Sequence, residues 1–120
     1  MPVLTIHTNI AKESIPADFA SKTVDIVSGA LGKPKSYVVV NVVGSQNLNW
    51  GGSAAPAAVA TLGSIGQINR EANKNTSALL SNHLEKELNI PGSRFYVNFE
   101  DWKAENVGYN GTTFAEILGQ

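Results

Sequence analysis

The chain has 120 residues, 42% of them hydrophobic and 16% charged; a chain of this length buries only about two-thirds of its unfolded surface, which suits one domain and not two. Nine basic side chains against ten acidic ones leave a net charge of −1, so no whole-molecule positive field draws in nucleic acid or anionic lipid. The absence of cysteine excludes disulfides, thiolate metal sites and Cys-nucleophile chemistry, and it says nothing about the redox compartment.

The first segment, Met1 to Asn9, carries neither a basic leader nor the apolar stretch of a secretory signal. Any export is therefore expected to be leaderless, with the protein cytoplasmic, secreted by such a route, or both. No run approaches the roughly 20 apolar residues that span a bilayer, so membrane insertion is not expected. Val3 to Thr8 is β-rich and partly alternating and reads as a strand. From Asp18 to Leu31 the positions Phe19, Val24, Ile26, Val27, Ala30 and Leu31 recur at helical spacing. Pro16 stands ahead of them and Gly32 and Pro34 just past the end, which predicts an amphipathic helix. Tyr37 to Val43 (Tyr-Val-Val-Val-Asn-Val-Val) is too uniformly apolar for a half-exposed strand and too short for a buried helix, the pattern of a central strand covered on one face by helices. An apolar run from Ala57 to Ile65 predicts a further strand. A helix follows from about Arg70 to Leu88, with Thr76, Leu79, Leu80, His83, Leu84 and Leu88 as its inward stripe, and then a strand from Phe95 to Phe99.

The two halves echo each other. At a constant offset of 57 residues Leu31, Pro34, Ser36, Val40 and Asn41 coincide with Leu88, Pro91, Ser93, Val97 and Asn98, which reads as an internal duplication. The expected fold is α+β: two βαβ pseudo-repeats, about 2–44 and 57–100, forming one four-stranded mixed sheet with two helices on one face. All of it lies in a single domain, 1–120, with 115–120 as a C-terminal extension. Two helices cover one side of such a sheet, so strands as apolar as Tyr37 to Val43 predict a partner chain on the other and hence an oligomer. Leu48 to Trp50 and Val107 to Phe114 are short β-prone pieces suited to sheet edges.

Pro2 is the first candidate for chemistry. Initiator methionine is commonly removed before a small residue, which here leaves a secondary amine at the head of the chain. An α-amino group titrates near pH 8, and burial or a neighbouring cation lowers that value, so the amine can serve as a base. On the dipeptide alone Met1-Pro2 is an incidental start, and its context decides.

That context is a set of motifs in order along the chain: Met1-Pro2, Thr8-Asn9, Gly32-Lys33-Pro34, Gly51-Gly52-Ser53, Ser64-Ile65-Gly66, Arg94 to Asn98, and Asn106 to Phe114. In order and spacing the chain resembles the macrophage migration inhibitory factor family of the tautomerase superfamily. The resemblance implies a homotrimer whose sheets line a central barrel, three sites at subunit interfaces, and Pro2 as catalytic base without cofactor or metal. It also implies that Lys33 holds a substrate carboxylate beside Pro2 and that the Ile65 N–H donates to the same carboxylate. By the same token Tyr96 and Asn98 enter from a neighbouring subunit, and Val107, Tyr109 and Phe114, completed by Val3 and Tyr37, form the apolar wall around an aromatic ring. Each residue also has a plainer account. Lys33 suits a helix C-terminus, Asn98 can satisfy a backbone group, and the aromatic residues can be core. Ala57 and Ala60 stand where many members carry a Cys-x-x-Cys pair, so thiol-disulfide chemistry has no basis here. Tyr109 replaces a tryptophan of some members, and Glu116 to Gln120 run past the usual end.

The implied activity is keto–enol tautomerisation of phenylpyruvate-type and dopachrome-type aromatic carboxylates, a phenylpyruvate tautomerase or dopachrome isomerase, together with a leaderless cytokine-like signal. The alternative is a receptor-binding ligand with vestigial or no turnover. An RNA-recognition module is the weakest reading, since Arg94 to Phe99 lacks the Lys/Arg-Gly start and the charge balance is wrong. His7 and His83 have no partner at metal or triad spacing and read as structural. The Asn75-Thr76-Ser77 and Asn110-Gly111-Thr112 sequons read as coincidence.

Overall fold

Alternation along the first strand sets up the whole sheet. In a computed structural model describing residues 1–119, β1 (Val3–Thr8) buries Leu4, Ile6 and Thr8 and turns Val3, Thr5 and His7 to the opposite side. β1 runs parallel to β2 (Val39–Val43) and antiparallel to β3 (Ala58–Ser64), which is parallel to β4 (Phe95–Asp101), so the sheet order is β2-β1-β3-β4. The helices α1 (Phe19–Leu31) and α2 (Arg70–Leu88) pack on one face, where Leu4, Ile6, Phe19, Leu62, Leu80 and Leu84 are fully buried. This is the expected α+β architecture.

Both helices stop where the chain turns left-handed. Gly32 (φ 62°) donates its N–H to the Ser28 carbonyl, and Asn89 (φ 55°) closes α2 in the same way onto Glu85. At its start α2 is capped by Asn69, whose side chain accepts from the Ala72 N–H at 2.9 Å. Each left-handed residue is followed by a proline, Pro34 or Pro91, that opens a single 3-10 turn leading into the next strand.

Tyr37 to Val43 departs from its expectation in two ways. Tyr37 closes the 3-10 turn Lys35–Tyr37 and not a strand, because Pro34, at φ −60°, starts that turn. β2 then pairs only with β1 and is an edge strand. Its valines face both ways: Val40 and Val42 pack on the core, while Val39 is 48% exposed on the side without helices. A run that is apolar on both faces does not require a central position. The inward faces of the helices shift as well. Thr23, and not Val24, is buried between Phe19 and Val27, its hydroxyl donating to the Phe19 carbonyl at 2.7 Å, and Leu79 on α2 is exposed. β4 continues two residues past Phe99 to Asp101.

The face without helices is mixed and not uniformly apolar. Strand register aligns Asn41, Thr5, Thr61 and Asn98 in one polar row across all four strands. Val39 and Val3 flank the row on one side, and Val43, His7, Val59 and Tyr96 on the other. Tyr96 is 64% exposed there and lies 4.4 Å from Trp50, ring to ring. The loop bearing Trp50 is pinned by Asn9, whose amide bridges the Ala55 carbonyl and the Ala57 N–H, and by the Arg94 guanidinium, which donates to the carbonyls of Trp50, Ser53, Ala55 and Pro56. Of the β-prone piece Leu48 to Trp50 only a single bridge, Trp50 to Ser53, forms.

The helix pair holds one buried titratable group. The His83 ring stacks on Phe19 (4.9 Å, 8°), and its Nε2 lies 2.9 Å from Thr23 Oγ1. Thr23 has given its only proton to Phe19, so Nε2 must carry a hydrogen and donate, and the neutral ring has its proton on Nε2. Burial lowers the His83 pKa below its ordinary value; Lys22 and Lys86 add to the shift, and Glu87 opposes it. The unfolded chain then binds the proton more readily. His83 therefore contributes stability that is complete above about pH 6.5 and is lost as the pH falls below it. Urea unfolding at pH 7.5 and pH 5 is expected to show that loss in the parent chain, and His83→Leu is expected to flatten it. An equal loss in both chains would assign it to other groups.

Candidate active site

The chain's first residue, the end of α1 and the last helix converge on one cavity. Its volume is about 410 Å³, and Met1, Lys33, Tyr37, Ile65 and Phe114 line it together with Pro34, Gly66, Ile117 and Leu118. A second cavity of about 510 Å³ includes Met1, Val3, Trp102 and Val107 in its lining, so Met1 is common to both.

Lys33 reaches the site because Gly32 ends the helix. The Lys33 N–H and carbonyl are both held by Ser28 (3.1 and 2.6 Å), and the Nζ donates to the Ile65 carbonyl at 3.0 Å. Its only hydrogen-bond partner there is neutral, and among the described residues no carboxylate pairs with it. The turn it contacts is Ile65-Gly66, with Gly66 at φ 80°, a conformation that favours glycine. Pro2 is fully buried, and its carbonyl accepts the Val39 N–H at 3.0 Å. The Met1 amine has its pKa lowered from the ordinary α-amino value, first by burial and then by the Lys33 charge. An amine at this position is biased towards its neutral, basic form.

Three aromatic rings pack together beside the cavity. The Tyr37 ring stands edge-on to both Tyr109 (5.7 Å) and Phe114 (5.9 Å), which are themselves stacked at 5.2 Å. Phe114, Ala104 and Ala115 form a small buried cluster against which Met1, Tyr37, Ile65 and Val107 pack. The hairpin β5 (Gly108–Tyr109) and β6 (Thr112–Thr113) presents Tyr109 and leads directly into α3 (Phe114–Leu118), whose first N–H donates to the Val107 carbonyl at 3.0 Å.

Lys33, Tyr37, Ile65 and Phe114 are thus brought together at one cavity, Tyr109 packs behind its wall, and Val3 and Val107 line the adjoining one. Tyr96 and Asn98 are not part of it within one chain; they project from β4 on the face without helices. Ile117 and Leu118, on the helix α3 that sequence analysis did not anticipate, were missed as lining residues. Thr113 followed by Glu116 at capping-box spacing, with Gly119 beyond, was the available signal. Trp102 was missed as well: its ring lies on Gly63, where a Cβ would collide with it, and its Nε1–H donates to Glu100.

Among the described residues no helix is long and apolar enough to cross a membrane. Over residues 1–115 the chain matches the family model of macrophage migration inhibitory factor. It is 46% identical to the macrophage migration inhibitory factor homolog of Trichuris trichiura over 114 residues, which cover 95% of this chain and all of that protein. With the Xenopus tropicalis macrophage migration inhibitory factor it shares 41% identity over 115 residues, 96% of this chain and all of the other. Its fold is similar to the solved structure of the Trichinella spiralis protein, with a TM-score of 0.91 and 45% identity over 93% of this chain and 99% of that one. The family match over residues 1–115, the identity of 41–46% over nearly the whole chain and the shared fold show that the chain belongs to the macrophage migration inhibitory factor family.

Proposed function

We propose that this protein is a cofactor-independent keto–enol tautomerase of aromatic 2-oxo acids, with the nitrogen of Pro2 as its base once Met1 has been removed. The observation that carries the reading is geometric: the start of the chain, with Pro2 buried next to Met1, borders a cavity that also holds Lys33, and burial and the Lys33 charge lower the pKa of the Met1 amine there. In the full chain the Pro2 nitrogen belongs to a tertiary amide and has no basic lone pair. Removal of Met1 frees it and takes away the wall common to the two cavities.

The Lys33 ammonium holds the substrate carboxylate, with the Ile65 N–H as a second donor. The neutral Pro2 nitrogen takes a proton from the carbon next to the carbonyl, and the electron pair moves onto the carbonyl oxygen. The protonated proline then delivers the proton to that oxygen, giving the enol; the reverse sequence gives the ketone. Tyr37, Tyr109, Phe114, Val107 and Val3 enclose the aryl group. Three copies arranged with their helix-free faces inward would bring Tyr96 and Asn98 of one subunit to the cavity of the next, where Asn98 donates to the developing enolate oxygen. The same assembly, exported without a leader, would act as a cytokine-like ligand for a cell-surface receptor; receptor binding that survives loss of turnover separates that role from catalysis.

The test is turnover of phenylpyruvate by samples whose mass shows Met1 present or absent. Only the processed form is expected to be active, and equal activity of the two would overturn the reading. Lys33→Ala is expected to raise KM about 10- to 100-fold, the worth of about 1.5–3 kcal/mol for a charge-assisted hydrogen bond to the carboxylate. An unchanged KM would place the carboxylate elsewhere.

A further inference from the structure

The family match ends at residue 115, and relatives matched over their whole length align with only 114 or 115 residues of this chain. Residues 116–120 lie beyond it, and two of them, Ile117 and Leu118, line the cavity. α3 begins at Phe114 and runs to Leu118, and Gly119, left-handed at φ 70°, closes it by donating its N–H to the Glu116 carbonyl at 3.4 Å. Phe114 and Ala115 are buried and fasten its first turn. On a helix the third and fourth residues after Phe114 fall on the same face as Phe114, and these are Ile117 and Leu118. Both line the cavity alongside Lys33 and Tyr37. Both are also about half exposed, 45% and 52%. In a helix this short, a branched apolar pair left open to the cavity adds little to the core and leaves apolar surface for a ligand to cover.

We propose that Ile117 and Leu118 form a specificity wall, peculiar to this chain's C-terminal helix, that favours 2-oxo acids with an apolar group larger than a single phenyl ring. The inference rests on the reading of the cavity as a 2-oxo acid site. The cavity's cation is Lys33, so the carboxylate is held there and the apolar end of the substrate is left to the aromatic and aliphatic walls. Relatives that stop where the match stops have no counterpart to this part of the lining.

The test compares phenylpyruvate with 2-naphthylpyruvate, which share the reacting atoms and differ in the size of the apolar group. Two variants of the processed protein are used, Ile117→Ser/Leu118→Ser and a chain ending at Ala115. The ratio of kcat/KM for the naphthyl substrate to that for the phenyl substrate is expected to fall about tenfold in both, mainly through KM. The conservative pair Ile117→Val/Leu118→Met is expected to recover most of it. An unchanged ratio with both substrates turning over would overturn the wall. So would an unchanged ratio with loss of assembly in native mass spectrometry, which would mean that a neighbouring subunit covers the two side chains. If the parent protein turns over neither substrate, the tautomerase reading fails by itself. The wall is then judged by fluorescence-quenching Kd values for 2-naphthylacetate and phenylacetate, whose ratio is expected to shift by the same factor and whose constancy would reject it.

Discussion

With Met1 removed, Pro2→Gly is expected to turn over 4-hydroxyphenylpyruvate about a hundredfold or more slowly than the parent chain, at the lower end of what a positioned general base supplies. The substitution keeps the backbone carbonyl that accepts the Val39 N–H, so the start of the chain stays anchored and the loss reports on the amine. Glycine leaves a primary amine on a freer backbone, without the ring that packs in place. Unchanged turnover would refute the base assignment. The pH profile gives a second reading. A base works when neutral, so kcat/KM is expected to rise with pH and level off above the pKa of the free enzyme's amine. Burial and the Lys33 charge lower the pKa of the Met1 amine; the same two causes acting on the buried Pro2 nitrogen are expected to place the midpoint below the ordinary α-amino value of about 8. Lys33→Ala removes one of the two causes and is expected to move the midpoint upward; an unmoved midpoint would assign the whole shift to burial.

Phe19→Ala is expected to cost about 3–5 kcal/mol, the usual range for deleting a fully buried aromatic side chain and a large share of the roughly 5–15 kcal/mol that holds a domain together. Phe19 is fully buried at the first turn of α1, stacks on His83 of α2, and carries the carbonyl that accepts the Thr23 hydroxyl. Its loss opens a cavity where both helices meet the sheet and removes the ring against which His83 is held. Urea unfolding at a fixed protomer concentration measures the cost, since assembly would make the midpoint depend on concentration. A cost below about 1 kcal/mol would show that the site relaxes to fill the space.

The two long helices were legible because their evidence is local. Apolar spacing marked their bodies, and Pro16, Gly32 and Pro34 marked the ends of the first, while α2 spans the residues expected from its apolar stripe. β1 was legible for the same reason, and so was the second βαβ course with its parallel β3–β4 pair. The Tyr37 to Val43 run was misplaced because valine on both faces hides the alternation that separates an edge strand from a central one. Thr23 escaped because a threonine satisfied by its own helix can be buried as readily as a valine. The short α3 escaped because five residues carry too little periodicity to stand out from the hairpin before them.

Of the candidate site, Lys33, Ile65 and Phe114, named from the motifs, line one cavity together with Met1, the residue before Pro2. Local pattern and motif order determined the element types, the family resemblance and the residues on which to look for chemistry. Only the tertiary structure decided that the Lys33 ammonium meets the Ile65 carbonyl across 32 positions of chain. It also decided that Met1 stands between two cavities, and that Ile117 and Leu118 face the same space as Lys33. Those contacts depend on how turns and strand register close the chain over long distances, and side-chain periodicity within a segment carries no information about which distant segment will lie beside it.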